Sequence, residues 1–245
     1  MTYCVGLLID EGLLMAGDTR TNAGLDNVGK FKKLHTWSKP GERVFGLLTA
    51  GNLAVTQAVT SLLSENMEGA RGKASPDSLF AVKTMFQAAR IVGRAIRAVR
   101  DIDGEQLGAK GDAFSASFIF GGQIGKERPR LFQIYSEGNF IEATPDTPFF
   151  QIGEHKYGKP ILDRVADAKM TLGEAAKMVL VSFDSTLRSN LSVGLPIDML
   201  TYERDSLKFE HMKRIGQDDP YFRMVSSEWS KALRAAFKNI EPLDI

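Results

Sequence analysis

Reactive groups concentrate at the start of the chain, where a threonine stands directly behind Met1. Methionine aminopeptidases trim Met1 when the next residue is small, and Thr2 qualifies. Trimming would leave a free α-amine and a γ-hydroxyl on one residue. A weak nucleophile and a base that can activate it then lie within a few bonds of each other. An unperturbed α-amine titrates at about 7.7–8.0, so much of it is neutral near physiological pH. Threonine at position 2 means little alone. Its company means more: Gly17-Asp18-Thr19-Arg20, then Lys32-Lys33-Leu34-His35. A nearby ammonium favours the deprotonated hydroxyl and the neutral amine, and a carboxylate holds that ammonium in place.

These groups need elements that bring them together. Residues 3–9 form a β-rich apolar run, Asp10-Glu11-Gly12 carries turn chemistry, and residues 13–16 form a second run. A tight hairpin between the two returns the chain to its start and places Asp18 near Thr2. A Gly/Asn/Asp-rich excursion follows through Asn22, Gly24, Asp26 and Asn27, with a return from Lys30 to His35. A third run at 43–48 leads into Thr49-Ala50-Gly51-Asn52. Three strands therefore suffice to gather a hydroxyl, a carboxylate and an ammonium at one end of a sheet.

This opening resembles that of a proteasome-type β subunit, an N-terminal-nucleophile hydrolase. Such chains begin with threonine and carry G-A-D-x-R at the end of the second strand. K-I-H on the next strand and a G-T-A-A-D turn follow, the turn answered here by Leu48-Thr49-Ala50-Gly51-Asn52. Further on, Val193-Gly194-Leu195-Pro196-Ile197-Asp198 resembles the family's G-S-x-x-I-D strand. The details at 19–24, 49–54 and 192–198 are most similar to a bacterial branch called Anbu.

The resemblance implies an α+β fold, a four-layer αββα sandwich, over one domain spanning 1–245. It implies that the Thr2 amine, directly or through a water, takes the hydroxyl proton as Oγ attacks an amide carbonyl. Lys33 would be the ammonium, with Lys32 as the fallback, and Asp18 would orient it, with Arg20 in support. Backbone donors at Leu48 and Thr49 would hold the oxyanion. Leu48 replaces the family's glycine and would add bulk beside the substrate, which Thr21, Asn22 and Ala50 would contact. The family's supporting serine falls near Gly153-Glu154-His155, its second aspartate at Asn190, and its second serine at Ser192 or Val193. Glu154 is a candidate for the serine's polar role, and Asn190 hydrogen-bonds without charge. The implied substrate is a peptide or small amide, and the implied assembly a homo-oligomer, ring or helical stack, built largely through helices. A non-catalytic scaffold subunit, or an amidase of narrow specificity, is the alternative.

Composition narrows the classes. Lys+Arg 31 against Asp+Glu 30 gives no bias towards nucleic acid. The single cysteine, Cys4, excludes an intramolecular disulfide and suits a reducing compartment. Its place in an apolar strand reads as a small core residue, two positions from the nucleophile. No run approaches the roughly 18 apolar residues of a membrane span, and no basic segment marks a signal peptide. A cytoplasmic protein without cofactor is expected. His35, His155 and His211 are too scattered for a metal site and read as structural or surface residues.

The remaining pattern predicts helices at 52–63, from Pro76 onward, at 157–166, at 171–187 and from about Pro220. Asn52 is a plausible cap of the first, and Thr171 with Glu174 forms a capping-box pattern before the fourth. Loops are expected at 68–75 and 104–112, and strands at 113–120, 130–135, 139–143, 149–152, 193–202 and 207–213. The glycines of Gly121-Gly122-Gln123-Ile124-Gly125 read as a hairpin turn, because no Walker lysine and serine follow. Arg90, Arg94, Arg97 and Arg100 form a basic stripe, read as a solvated face or a subunit contact. The last helix carries Phe222, Val225, Trp229, Leu233 and Phe237 on one side, read as core or subunit contact.

Overall fold

The computed structural model describes residues 1–22, 28–68, 75–109, 114–209 and 211–245. Strands β1 (Tyr3–Ile9) and β2 (Gly12–Asp18) pair as the hairpin, Cys4 opposite Gly17 and Ile9 opposite Gly12. Both are apolar almost without a break because both of their faces are covered. With β10 (Phe149–Gly153), β11 (Ile197–Glu203) and β12 (His211–Ile215) they form one sheet in the order β10-β1-β2-β11-β12. The second sheet runs β5 (Leu34–Lys39), β6 (Arg43–Gly51), β7 (Ala116–Ile124), β8 (Arg130–Ile134), β9 (Phe140–Glu142). A short ribbon, β3 (Arg20–Asn22) with β4 (Val28–Lys30), links the sheets. All of these pairings are antiparallel.

Alternation along β1 shows how the layers are specified. Tyr3, Val5 and Leu7 point to one face, where α3 (Lys159–Val165), α4 (Leu172–Ser189) and α5 (Pro220–Lys238) bring Leu162, Val179, Phe183 and Phe222. Cys4 points the other way, into the layer between the sheets, with Met15, Leu48, Ile119 and Leu200. The outer face of the second sheet is covered by α1 (Leu53–Glu68) and α2 (Met85–Ala109), with Val59, Leu63, Val92 and Ile96 against Phe45 and Phe120. The result is the expected four layers.

Local signals set several boundaries. Asn52 Oδ1 accepts the Ala54 and Val55 N–H groups at 2.9 and 3.3 Å and caps α1. Thr171 and Glu174 form the reciprocal capping box of α4. Asp219 caps α5 through the Phe222 N–H, with Pro220 in the first turn.

Other boundaries moved. Helix α2 opens at Met85, not Pro76, because the Glu127 carboxylate accepts the Met85 N–H at 2.8 Å. Residues 75–84 turn instead, their Phe80 and Val82 carbonyls held by Arg43. The same helix continues through Gly104 to Ala109, where a loop was expected. Gly121 and Gly122 are strand residues paired with Gly46 and Phe45; the turn falls at Gly125. Strand β11 begins at Ile197 rather than Val193, since Pro196 has no N–H for a ladder. On α5, Phe222 and Val225 are buried and Trp229 half-buried, but Leu233 and Phe237 are exposed. Arg97 and Arg100 are not idle on the surface: they donate to carbonyls of the 136–138 turn, and Arg94 pairs with Asp77. The excursion at Gly24, Asp26 and Asn27, most of the 68–75 loop and the start of the expected strand at 113 lie outside the described residues. Among the described residues, no helix is long and apolar enough to cross a membrane.

Candidate active site

Asp18 is the centre of the polar corner. It ends β2 and is wholly buried, where an ionised carboxylate needs every oxygen answered. Its Oδ1 accepts the Tyr3 N–H at 3.0 Å and the Lys33 ammonium at 2.7 Å. Its Oδ2 accepts the Gly194 N–H at 3.2 Å. Burial pushes the carboxyl up, and the ammonium and the two N–H donors oppose that shift. Lys33, 4 % exposed, donates also to the Arg20 carbonyl at 2.6 Å, whereas Lys32 is exposed. A buried pair of this kind is weak evidence of net stability, but removing one partner costs about 3–5 kcal/mol.

The C-terminal segment closes over this pair. The Thr19 N–H and hydroxyl both donate to the Pro196 carbonyl, at 3.1 and 2.8 Å. Arg20 reaches the Leu191 carbonyl at 2.8 Å. Its guanidinium lies so close over Gly194 that a Cβ there would collide with it. Residues 191–196 are thus fastened to the end of β2 at three consecutive positions.

On the other side of the chain start, the Thr2 carbonyl accepts the Glu154 N–H at 2.6 Å. Gly153 makes this approach possible: it has φ +83°, and a Cβ would run into the Thr2 carbonyl. Glu154, 8 % exposed, accepts the Lys156 N–H at 3.2 Å and the Asn190 side-chain amide at 3.0 Å. Asn190 also caps the turn, its Oδ1 accepting the Ser192 N–H at 2.9 Å. A continuous set of bonds therefore runs from Thr2 through Glu154, Asn190 and the 192–194 turn back to Asp18. The expected residues Thr2, Asp18, Lys33, Arg20, Glu154, Asn190 and Ser192 meet in this one corner. Gly153 and Gly194 lie in the expected motifs without an expected role, and the Tyr3 N–H was not anticipated. The glycine ending an apolar strand before Glu154 was the one readable signal among them.

Other expected residues are placed differently. The Thr49 N–H donates to the Lys33 carbonyl at 3.0 Å, so it is committed to the sheet and not free for an oxyanion. The Leu48 side chain is wholly buried between the sheets, against Gly17 and Cys4, and adds no bulk beside a substrate. Ala50 is buried in the same layer. Thr21 and Asn22 lie on the ribbon, opposite Gly29 and Val28, with Thr21 half-buried. Cys4 is fully buried and burial pushes its thiol well up, which leaves it inert. His35 is held at about 4 by burial and by Lys32. Among the described residues, no group of three or more His, Cys, Asp and Glu is placed to hold a metal ion.

The family model described as proteasome subunit matches residues 2–201. The chain belongs to the proteasome-subunit family. Among solved structures it is 59% identical to Anbu from Hyphomicrobium sp. strain MC1, with 99% of this chain and 100% of that one covered and a TM-score of 0.92. It is 45% identical to the Anbu, or ancestral β subunit, of Yersinia bercovieri, over 99% and 100% of the two chains, with a TM-score of 0.91. A Pseudomonas aeruginosa structure described as the helical assembly of the Anbu complex is 44% identical over 99% and 98%, with a TM-score of 0.91. No curated protein matches the chain. Membership in this family accounts for the αββα architecture.

Proposed function

We propose that the chain is an N-terminal threonine amidohydrolase that cleaves a peptide, an isopeptide or a small amide once Met1 has been removed. The observation that carries this reading is the buried Asp18–Lys33 pair, fixed at 2.7 Å beside the main chain of Thr2 and Tyr3. An ammonium so placed favours the neutral amine and the ionised hydroxyl. The Met1 α-amine, one residue before the amine that trimming would expose, is held below its ordinary range, by burial first and by Lys33 second, against Asp18. Thr2 Oγ attacks the amide carbonyl, and its proton passes through the Thr2 amine to the leaving nitrogen as the C–N bond breaks. Water then hydrolyses the acyl ester left on Thr2. Leu48 N–H faces β7, where Leu48 pairs with Ile119, so like the Thr49 N–H it does not serve the oxyanion. The helical assembly of the Pseudomonas aeruginosa Anbu complex supports a homo-oligomer.

Intact mass before and after treatment with a threonine-directed epoxyketone tests the reading. Loss of Met1 and one adduct, absent in Thr2→Ala, is the expected result. Retained Met1 with no adduct would overturn it in favour of a non-catalytic scaffold subunit.

A further inference from the structure

Two carboxylates flank the start of β1, and they are differently placed. In an antiparallel ladder the N–H and C=O of one residue point to the same side, and successive residues alternate. The Tyr3 N–H points towards β2 and meets Asp18. The Thr2 carbonyl points the opposite way, towards the end of β10, where it meets the Glu154 N–H at 2.6 Å. The Thr2 nitrogen is directed to that same side. Asp18 is answered by the ammonium of Lys33. The hydrogen-bond donors on Glu154 are neutral: the Lys156 N–H and the Asn190 amide.

We propose that Glu154, clamped by Asn190, is the positioning residue for the Thr2 α-amine, and that its negative charge sets the pH at which that amine becomes a base. This inference rests on the threonine-nucleophile reading. Asn190 fixes the carboxylate without neutralising it, which an arginine or lysine there would do. Several other charged or titratable groups lie around the chain start, the exposed Lys156 among them. Asp18, Lys33 and Arg20 lie on the β2 and ribbon side, and Lys33 and Asp18 act on the chain-start amine in opposite directions. The Tyr3 phenol is tied to Ser182 and Gln151 beneath it. On α4, Asp184 pairs with Arg188. Cys4 faces the inter-sheet layer. His155 follows Glu154, its Nδ1 at 3.3 Å from the Gly153 carbonyl.

The test is the pH dependence of α-amine acylation, read by mass on the N-terminal peptide of the Met1-free protein, alongside the rate of epoxyketone adduct formation. Removing an anion beside an ammonium lowers its proton affinity. Glu154→Gln should therefore move the amine titration and the acid limb of the adduct rate down by about one pH unit. Asn190→Asp, which adds a second carboxylate, should move both upward. A structural role alone would lower the rate at every pH and leave both midpoints where they were. Unmoved midpoints in both variants, with normal adduct formation by the wild type, would overturn this inference alone. A wild type that keeps Met1 would overturn it together with the reading beneath it. Should Glu154→Gln fail to fold, the upward shift in Asn190→Asp decides.

Discussion

Two buried polar constellations of the sandwich lie at opposite ends of β2 and β11. At one end, Asp18 and Lys33 form a charged pair beside the chain start. At the other, Gln123, wholly buried in β7, accepts from the Tyr202 hydroxyl at 2.7 Å and the Asp205 N–H at 3.0 Å and donates to Asp205 Oδ1 at 2.6 Å. Five residue-to-residue steps along β2, from Leu13 to Asp18, separate them, roughly 17 Å at about 3.4 Å per residue. The Gln123 network has an evident structural task. It braces a loop in which Asp205 and Leu207 hold positive φ, a conformation costly for residues other than glycine. The Asp18 corner braces no such strain. It brings a buried positive charge to a chain end, which packing alone does not require, and the proposed function rests on that contrast.

Breaking the two ends should therefore have different consequences. Lys33→Met leaves Asp18 buried without its cation and should lower stability by about 3–5 kcal/mol in denaturant titration. The double variant Asp18→Asn with Lys33→Met should recover most of that loss, yet form no epoxyketone adduct. If the double variant labelled like the wild type, the charged pair would have no part in the chemistry. Next in size is a pH effect close to the same corner. His35 titrates at about 4 in the folded chain against an ordinary 6.5. Between these values the unfolded chain binds a proton that the folded chain does not, so stability is full above about pH 6.5 and falls as pH drops towards 4. The loss approaches about 3 kcal/mol at the lower limit. His35→Gln should flatten the pH dependence of the unfolding free energy over this window by that amount. Smaller again is Gln123→Leu, which strands the Tyr202 hydroxyl and the Asp205 N–H at about 1–3 kcal/mol. Its adduct rate should equal that of the wild type; a loss of labelling would show that the far end is coupled to the chain start.

The same contrast explains what was legible in the sequence. The Asp18 corner rests on short-range pattern: two apolar runs, a turn between them and polar residues at fixed offsets on strands that must pair. Gathering Thr2, Asp18 and Lys33 needed little more than that. The Gln123 network joins β7 to the loop after β11, 82 residues apart, and no local periodicity reports such a contact. The start of α2 failed for a similar reason. Pro76 offers good local chemistry for a helix, but Glu127 and Arg43 supply tertiary partners that place the first turn at Met85. Leu48 shows the limit on the site itself. The motif puts it beside the nucleophile, yet only the register of the opposed sheet reveals that its side chain turns inward, against Gly17 and Cys4. Thr49 is similar, since its N–H has a partner in a segment 16 residues earlier.

The smallest expected effect concerns Cys4, the chain's single thiol, two residues from the proposed nucleophile. Its sulfur lies 3.8 Å from the Thr49 carbonyl, in the layer between the sheets. Electrophiles that label threonine also label exposed thiolates, so one adduct per chain does not by itself name the residue. Burial keeps this thiol protonated and out of reach. Cys4→Ala should therefore cost only about 1 kcal/mol, the apolar contact and small cavity of one lost sulfur. It should leave the adduct mass and rate unchanged. Loss of the adduct in Cys4→Ala, with a cooperative unfolding transition retained, would move the reactive group from Thr2 to the sulfur and dissolve the functional meaning of the Asp18–Lys33 corner.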